Sequence, residues 1–114
     1  MKIQKFEEIT AWQKSKELNI IIYKIFSNCK DFSFKNQIER ASVSIMNNIA
    51  EGFERQTNRE FKNFLYISKG SCGEVRSMIS LAIELKYIDE NNFKDVYDKC
   101  VEISKILSGF IKTL

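Results

Sequence analysis

The sequence contains no histidine, which removes the commonest general base, the Ser-His-Asp triad and the Glu-x-x-His sites of di-iron helical bundles. It contains no proline and only four glycines, so little in it interrupts a helix. Neither a Gly-x-x-x-x-Gly-Lys-Ser/Thr loop nor a Gly-x-Gly-x-x-Gly turn occurs, which leaves a nucleotide cofactor without a phosphate cradle. The three cysteines, Cys29, Cys72 and Cys100, form no Cys-x-x-Cys pair. Each falls within a helical pattern, and they are read as buried thiols in place of a disulfide framework or a zinc site. No apolar run approaches the ~20 residues of a membrane-spanning helix, and residues Met1 to Glu8 lack the apolar core of a signal peptide. A cytoplasmic protein without cofactor, metal or catalytic residues is expected.

What is present is an ordinary globular composition, 44% hydrophobic and 29% charged over 114 residues. That excludes a disordered chain and suits one domain over residues 1–114. Apolar residues recur at three and four positions, not at two, which predicts helices and no strands. The first helix is expected from Thr10, with Gln13 completing a Thr-x-x-Gln capping box, to about Asn28, with Trp12, Leu18, Ile22, Ile25 and Phe26 facing inward. The second should start near Ser33, bury Ile38, Ala41, Ile45 and Ile49, and end near Gly52. Thr57 and Glu60 form a capping box for the third, whose core residues run from Phe61 and Phe64 through Leu65, Ser68, Cys72, Val75 and Ile79 to Ala82, ending near Lys86. Asp89 caps the fourth, which carries Phe93, Val96, Tyr97, Cys100, Ser104, Leu107 and Ile111. Short connections make sequential neighbours antiparallel, so the fold class is an all-α, antiparallel up-down four-helix bundle.

Two features exceed a plain bundle. Ile20-Ile21-Ile22-Tyr23, followed by Ile25 and Phe26, covers more of the first helix than one core stripe needs, which predicts a homo-oligomer; a monomer with scattered exposed apolar groups is the alternative. Small and polar residues also gather mid-helix: Ala41, Ser42, Ser44, Asn47 and Asn48 in the second, Gly70, Ser71 and Gly73 in the third. Two glycines within four residues predict a close backbone approach. Antiparallel packing about the Arg55 to Thr57 turn places Ser44 level with about Gly70 and predicts a structural ion pair between Arg40 and Glu74.

The second helix carries Gln37-Ile38-Glu39-Arg40-Ala41-Ser42-Val43-Ser44-Ile45-Met46-Asn47-Asn48-Ile49-Ala50-Glu51-Gly52. This run resembles the signature of the bacterial 23S rRNA intervening-sequence proteins, also called the four-helix-bundle protein family. Arg55 with Glu60-Phe61 and Phe64-Leu65, then Gly70-Ser71 with Glu74, resembles that family's second block, and Trp12 stands where its first helix usually carries tryptophan. Glu39 replaces a usual arginine and Met46 a usual proline, which implies less positive charge on the second helix and a straighter one. The resemblance implies a homo-oligomer, commonly a pentamer, with no established catalytic activity. It also implies nucleic acid and a reverse transcriptase as partners, since relatives accompanying reverse transcriptases in diversity-generating retroelements bind both.

The charge distribution bears on the same question. Arg59, Lys62, Tyr66, Lys69, Gly73 and Arg76 follow steps of three, four and seven, so they line one stripe of the third helix, with Arg55 just before it. Five basic residues against Glu60 and Glu74 give the Arg55–Arg76 segment an excess of +3, the net charge of the whole chain. Such a row can neutralise phosphates, and Tyr66 can stack on a base. Arg55, Arg59, Lys62, Tyr66, Lys69 and Arg76 are therefore the candidate contacts to RNA or DNA. A solvated charged face is the bland alternative. Glu51, Glu54 and Glu60 cluster near one turn, but Mg²⁺ needs convergent oxygens, and Glu51 is spaced to pair with Arg55. The reading is a non-catalytic oligomeric bundle that binds nucleic acid or a nucleic-acid enzyme, or else a purely protein-binding or self-assembling module.

Overall fold

Three of the four helices begin where a side chain can accept from the unpaired amides of a first turn. In the computed structural model, which describes residues 2–114, these are α2 (Phe32–Phe53), α3 (Asn58–Glu84) and α4 (Glu90–Ile111). Asp31 accepts from the Phe34 amide at 3.1 Å, Thr57 from Glu60 at 3.1 Å and Asp89 from Asn92 at 2.7 Å. The Thr57 hydroxyl also donates to the Glu60 carboxylate at 3.1 Å, so the two residues pair, but through the hydroxyl and not through the Thr57 amide that a full capping box uses.

The first helix, α1 (Thr10–Ile25), is the exception. Thr10 is its first helical residue and does not cap it. Ile9, which has no acceptor, holds the cap position. Gln13 donates to the Glu7 carbonyl at 2.8 Å, outside any capping box. A single 3-10 turn, Phe6–Glu8, leads into the helix, and Ile9 is buried at its end. Burying an isoleucine is worth about 1.5–3 kcal/mol against about 1 kcal/mol for a cap, so the hydrophobic anchor sets the start.

Each helix packs on two neighbours in the ring order α1, α2, α3, α4, with α4 closing on α1, within an envelope of 43 × 22 × 19 Å. The long dimension matches the ~40 Å expected of the 27-residue α3 at 1.5 Å per residue. Among the described residues no strand occurs, and no helix is long and apolar enough to cross a membrane. Leu18, Ile22, Ile38, Ile45, Ile49, Leu65, Val75, Ile79, Val96, Ile103 and Leu107 are all buried between the helices. Ile103 joins this core although its neighbour Ser104, half-buried, had the expected place. Cys72 and Cys100 are buried free thiols, with Cys72 Sγ donating to the Cys100 carbonyl at 3.1 Å; Cys29 is half-buried. Hydrogen bonding to Cys72 and burial push the Cys100 thiol far above its ordinary range, which keeps it protonated.

The α2–α3 contact is close, but at a different glycine from the pair expected. A Cβ built on Gly52 meets the Phe64 Cβ at 2.6 Å and the Phe61 carbonyl oxygen at 3.3 Å, whereas Gly70 and Gly73 face open space. α2 ends at Phe53, near Gly52 as expected, and Gly52 in its last turn also serves interhelical packing. Farther along, Ser44 and Ser71 share a hydroxyl hydrogen bond of 2.8 Å, and Ser68 donates to the Ile45 carbonyl at 2.7 Å. The expected axial register is therefore correct to one residue. The helix runs unbroken through Met46, whose sulfur accepts from Asn19 of α1.

Arg40 and Glu74 do not pair. The ion pairs among the described residues are Lys14–Glu102, Arg55–Glu51, Lys94–Asp98 and Lys99–Asp95. Glu74 instead accepts from Gln37 at 3.5 Å, and Arg40 borders a depression shared with Tyr23 of α1. Gln37, seven residues before Ser44 and on the same face of α2, takes the Glu74 carboxylate, while Arg40 stays exposed.

One end of the bundle is tied by Tyr87. The α3 helix finishes in a Schellman motif, with Lys86 in the left-handed region at φ 62° and the Lys86 and Tyr87 amides returning to Ile83 and Ala82. This places the Tyr87 ring edge-on to Phe34, centroids 5.3 Å apart, and its hydroxyl 2.7 Å from Asp31 Oδ2. The bond from Tyr87, then that from the Phe34 amide, holds the Asp31 carboxyl below its usual range, and Asp31 in turn raises the Tyr87 phenol.

Two outcomes follow for stability. Gly52→Ala should destabilise the protein by about 1–3 kcal/mol, while Gly70→Ala and Gly73→Ala should each gain about 0.5–1 kcal/mol, as exposed helical glycines do; urea titration of the three variants checks the order. The Asp31 contribution is fully present above the unfolded value of about 3.9 and lost as pH falls through its lowered folded value. The Tyr87 contribution is present below about pH 10 and lost as pH rises through its raised value. Tyr87→Phe should therefore flatten the pH dependence of Tm at both extremes, and identical profiles for variant and parent would show that the bond is not made.

Candidate nucleic-acid interface

On α3 the buried residues Phe61, Leu65, Ser68, Cys72, Val75, Ile79 and Ala82 keep to one face. This leaves a broad outer face for everything between them. Phe64, expected in the core, is half-buried against Gly52. Of the six candidate contacts, Arg59 and Tyr66 lie outward and exposed, Tyr66 at 56%. Lys62, Lys69 and Arg76 recur every seven residues and so share a face. Lys69 and Arg76 flank α4: both line a shallow groove of about 350 Å³ against it, and the Arg76 guanidinium sits 5.7 Å from the Tyr97 ring centroid.

Arg55 stands apart from this row. Its guanidinium donates to Glu51 at 3.1 Å and lies 4.8 Å from the Phe64 ring centroid, on the side of α3 that faces α2. Part of its charge is thereby neutralised within the chain. The other four cations, Arg59, Lys62, Lys69 and Arg76, have no ion-pair partner among the described residues. The two acids of the segment are turned elsewhere, Glu60 to the Thr57 cap and Glu74 to Gln37. The excess charge thus stays on the outer and α4-facing sides of α3.

The structure adds two cations that inspection of α3 alone does not find. Lys105 and Lys112 of α4 line the same groove as Lys69 and Arg76. Their spacing of seven is a visible signal of a shared face, but only the helix pairing reveals which face it is.

Glu51 and Glu60, two of the acids near the α2–α3 turn, are occupied by Arg55 and Thr57. Among the described residues no group of three or more potential metal ligands converges. The apolar surface is also redistributed. Ile20 and Tyr23 of α1 are about half exposed, as its composition suggests, but Ile67, Leu81 and Leu85 of α3 are equally open. These lie on α3 positions that an inward stripe does not use.

Comparison with known proteins agrees with the architecture. Residues 7–109 match a family model described as 23S rRNA-intervening sequence protein. A crystal structure of a protein with unknown function from the S23 ribosomal protein family of Bacteroides thetaiotaomicron superposes with a TM-score of 0.85 at 30% identity, covering 90% of this chain and 99% of that one. No curated protein matches the chain.

Proposed function

The chain belongs to the 23S rRNA-intervening sequence protein family, and from that premise we propose that it acts as a non-catalytic, oligomeric helical bundle that binds RNA or DNA through the basic surface of α3. The observation that carries this reading is the row Arg59, Lys62, Lys69 and Arg76, which has no ion-pair partner among the described residues. Cations left unpaired on a rigid helix are free to replace the counterions of a phosphate backbone, and their release drives binding. Tyr66, exposed beside the row, offers a face on which a base can stack. Several copies in a homo-oligomer, a pentamer by family resemblance, would present the row repeatedly and raise avidity. An enzyme acting on nucleic acid, such as a reverse transcriptase, is a compatible partner because it would share the bound strand.

A second reading, self-assembly or protein binding alone, draws on the exposed Ile20, Tyr23, Ile67, Leu81 and Leu85. The two readings separate in a retention assay with labelled RNA and DNA at low salt. The parent should retain both, less as salt rises, and the combined change of Arg59, Lys62, Lys69 and Arg76 to glutamate should abolish retention. A defined oligomer that retains neither nucleic acid would establish the second reading. Retention that ignores both salt and the four substitutions would contradict the first.

A further inference from the structure

We infer that a single strand of nucleic acid occupies the groove between α3 and α4, with Lys105 and Lys112 of α4 as phosphate contacts beside Lys69 and Arg76. This rests on the nucleic-acid reading above and adds the path of the strand, its strandedness and a second helix to the site.

The four cations border one groove and none forms an ion pair among the described residues. Nearby acids of α4 are already engaged: Asp98 with Lys94 at 2.9 Å and Glu102 with Lys14 at 3.2 Å. The groove therefore keeps its full positive charge. Its α4 side presents the hydroxyls of Ser104 and Ser108 and the bare backbone of Gly109, where a Cβ would meet nothing within 4 Å. Hydroxyls are common phosphate donors, and a glycine lets a sugar-phosphate chain come close.

The length of the row fits a strand. Antiparallel register, fixed by Cys72 against Cys100 and Arg76 against Tyr97, sets Lys105 about level with Ile67 and Lys112 about level with Glu60. From Arg76 to Lys112 the cations then extend about 24 Å at 1.5 Å per residue. That accommodates about seven stacked nucleotides at ~3.4 Å per phosphate. Tyr66 decides for a single strand. Its ring lies three residues before Lys69, hence on the adjoining face, and is open to solvent. Bases of a single strand can reach it, whereas a duplex turns its phosphates outward and keeps its bases stacked.

The test is fluorescence anisotropy of the full chain with a labelled 12-nucleotide oligouridylate and with a duplex of equal length. Lys105→Glu with Lys112→Glu should weaken oligouridylate binding at least about ten-fold, with an unchanged helical circular dichroism spectrum. Lys94→Glu with Lys99→Glu, the same change of charge elsewhere on α4, should have less than about three-fold effect. Tyr66→Ala should cost roughly five-fold or more on the single strand and leave duplex binding unchanged. Parent-like binding by the Lys105/Lys112 variant, while the four α3 reversals abolish it, would overturn the groove and leave the function reading intact. Duplex binding as tight as single-strand binding, with Tyr66→Ala silent, would overturn the strandedness. Absence of binding by the parent would remove both the function reading and this inference.

Discussion

The close approach of α2 to α3 at Gly52 is the constraint on which the rest of the molecule depends. With no Cβ there, the Phe64 side chain and the Phe61 carbonyl come within distances that any other residue would forbid. Two hydrogen bonds extend the contact along the pair, from Ser68 to the Ile45 carbonyl and between Ser44 and Ser71. A helix held at three points along its length cannot rotate, so every other position of α3 has its direction assigned. The packing of Phe61 against Phe110 and of Cys72 against Cys100 then seats α4 on the adjacent side.

The electrostatic consequence comes from this rotation more than from net charge, which at +3 is mild. On α4, the acids that would ordinarily offset neighbouring lysines are used within the helix or toward α1. On α3, Glu60 lies at its cap and Glu74 toward α2. Lys69, Arg76, Lys105 and Lys112 collect where α3 meets α4, on positions that contribute nothing to the core. Exposed ion pairs are worth at most about 1 kcal/mol each, so stability exerts little pressure to fill this groove with acids. Its charge is available for a ligand at small structural cost.

Much of this was legible in the residues themselves. Thr57 and Asp89 announce their helices because a short polar side chain before an apolar period has one local use, capping. Leu65, Val75 and Ile79 could be assigned to the core by spacing alone. Thr10 starts α1 as its pattern indicates but does not cap it, because burial of Ile9, a tertiary effect, sets the entry. Gly70 and Gly73 form the paired glycines of the sequence, yet Gly52 makes the contact, since the need for a missing Cβ depends on what stands opposite. Arg40 stands level with Glu74, yet Gln37 takes the carboxylate, and the spacing of Lys105 and Lys112 does not reveal that their shared face borders α3. Register along an axis follows from loop lengths and chain direction, whereas rotation about it is set by packing that sequence spacing does not encode.

The most direct measurement of the account is lysine footprinting: brief acetylation of the free protein and of its complex with the oligouridylate, with modification of each lysine read by mass spectrometry. Joint protection is expected of Lys69, Lys105 and Lys112, which line one groove only through the α3–α4 packing, together with Lys62 of the α3 row, and unchanged reactivity at Lys16, Lys24, Lys30, Lys35 and Lys86. Protection confined to Lys62, with Lys69, Lys105 and Lys112 as reactive as in the free protein, or protection centred on α1 and α2, would contradict it.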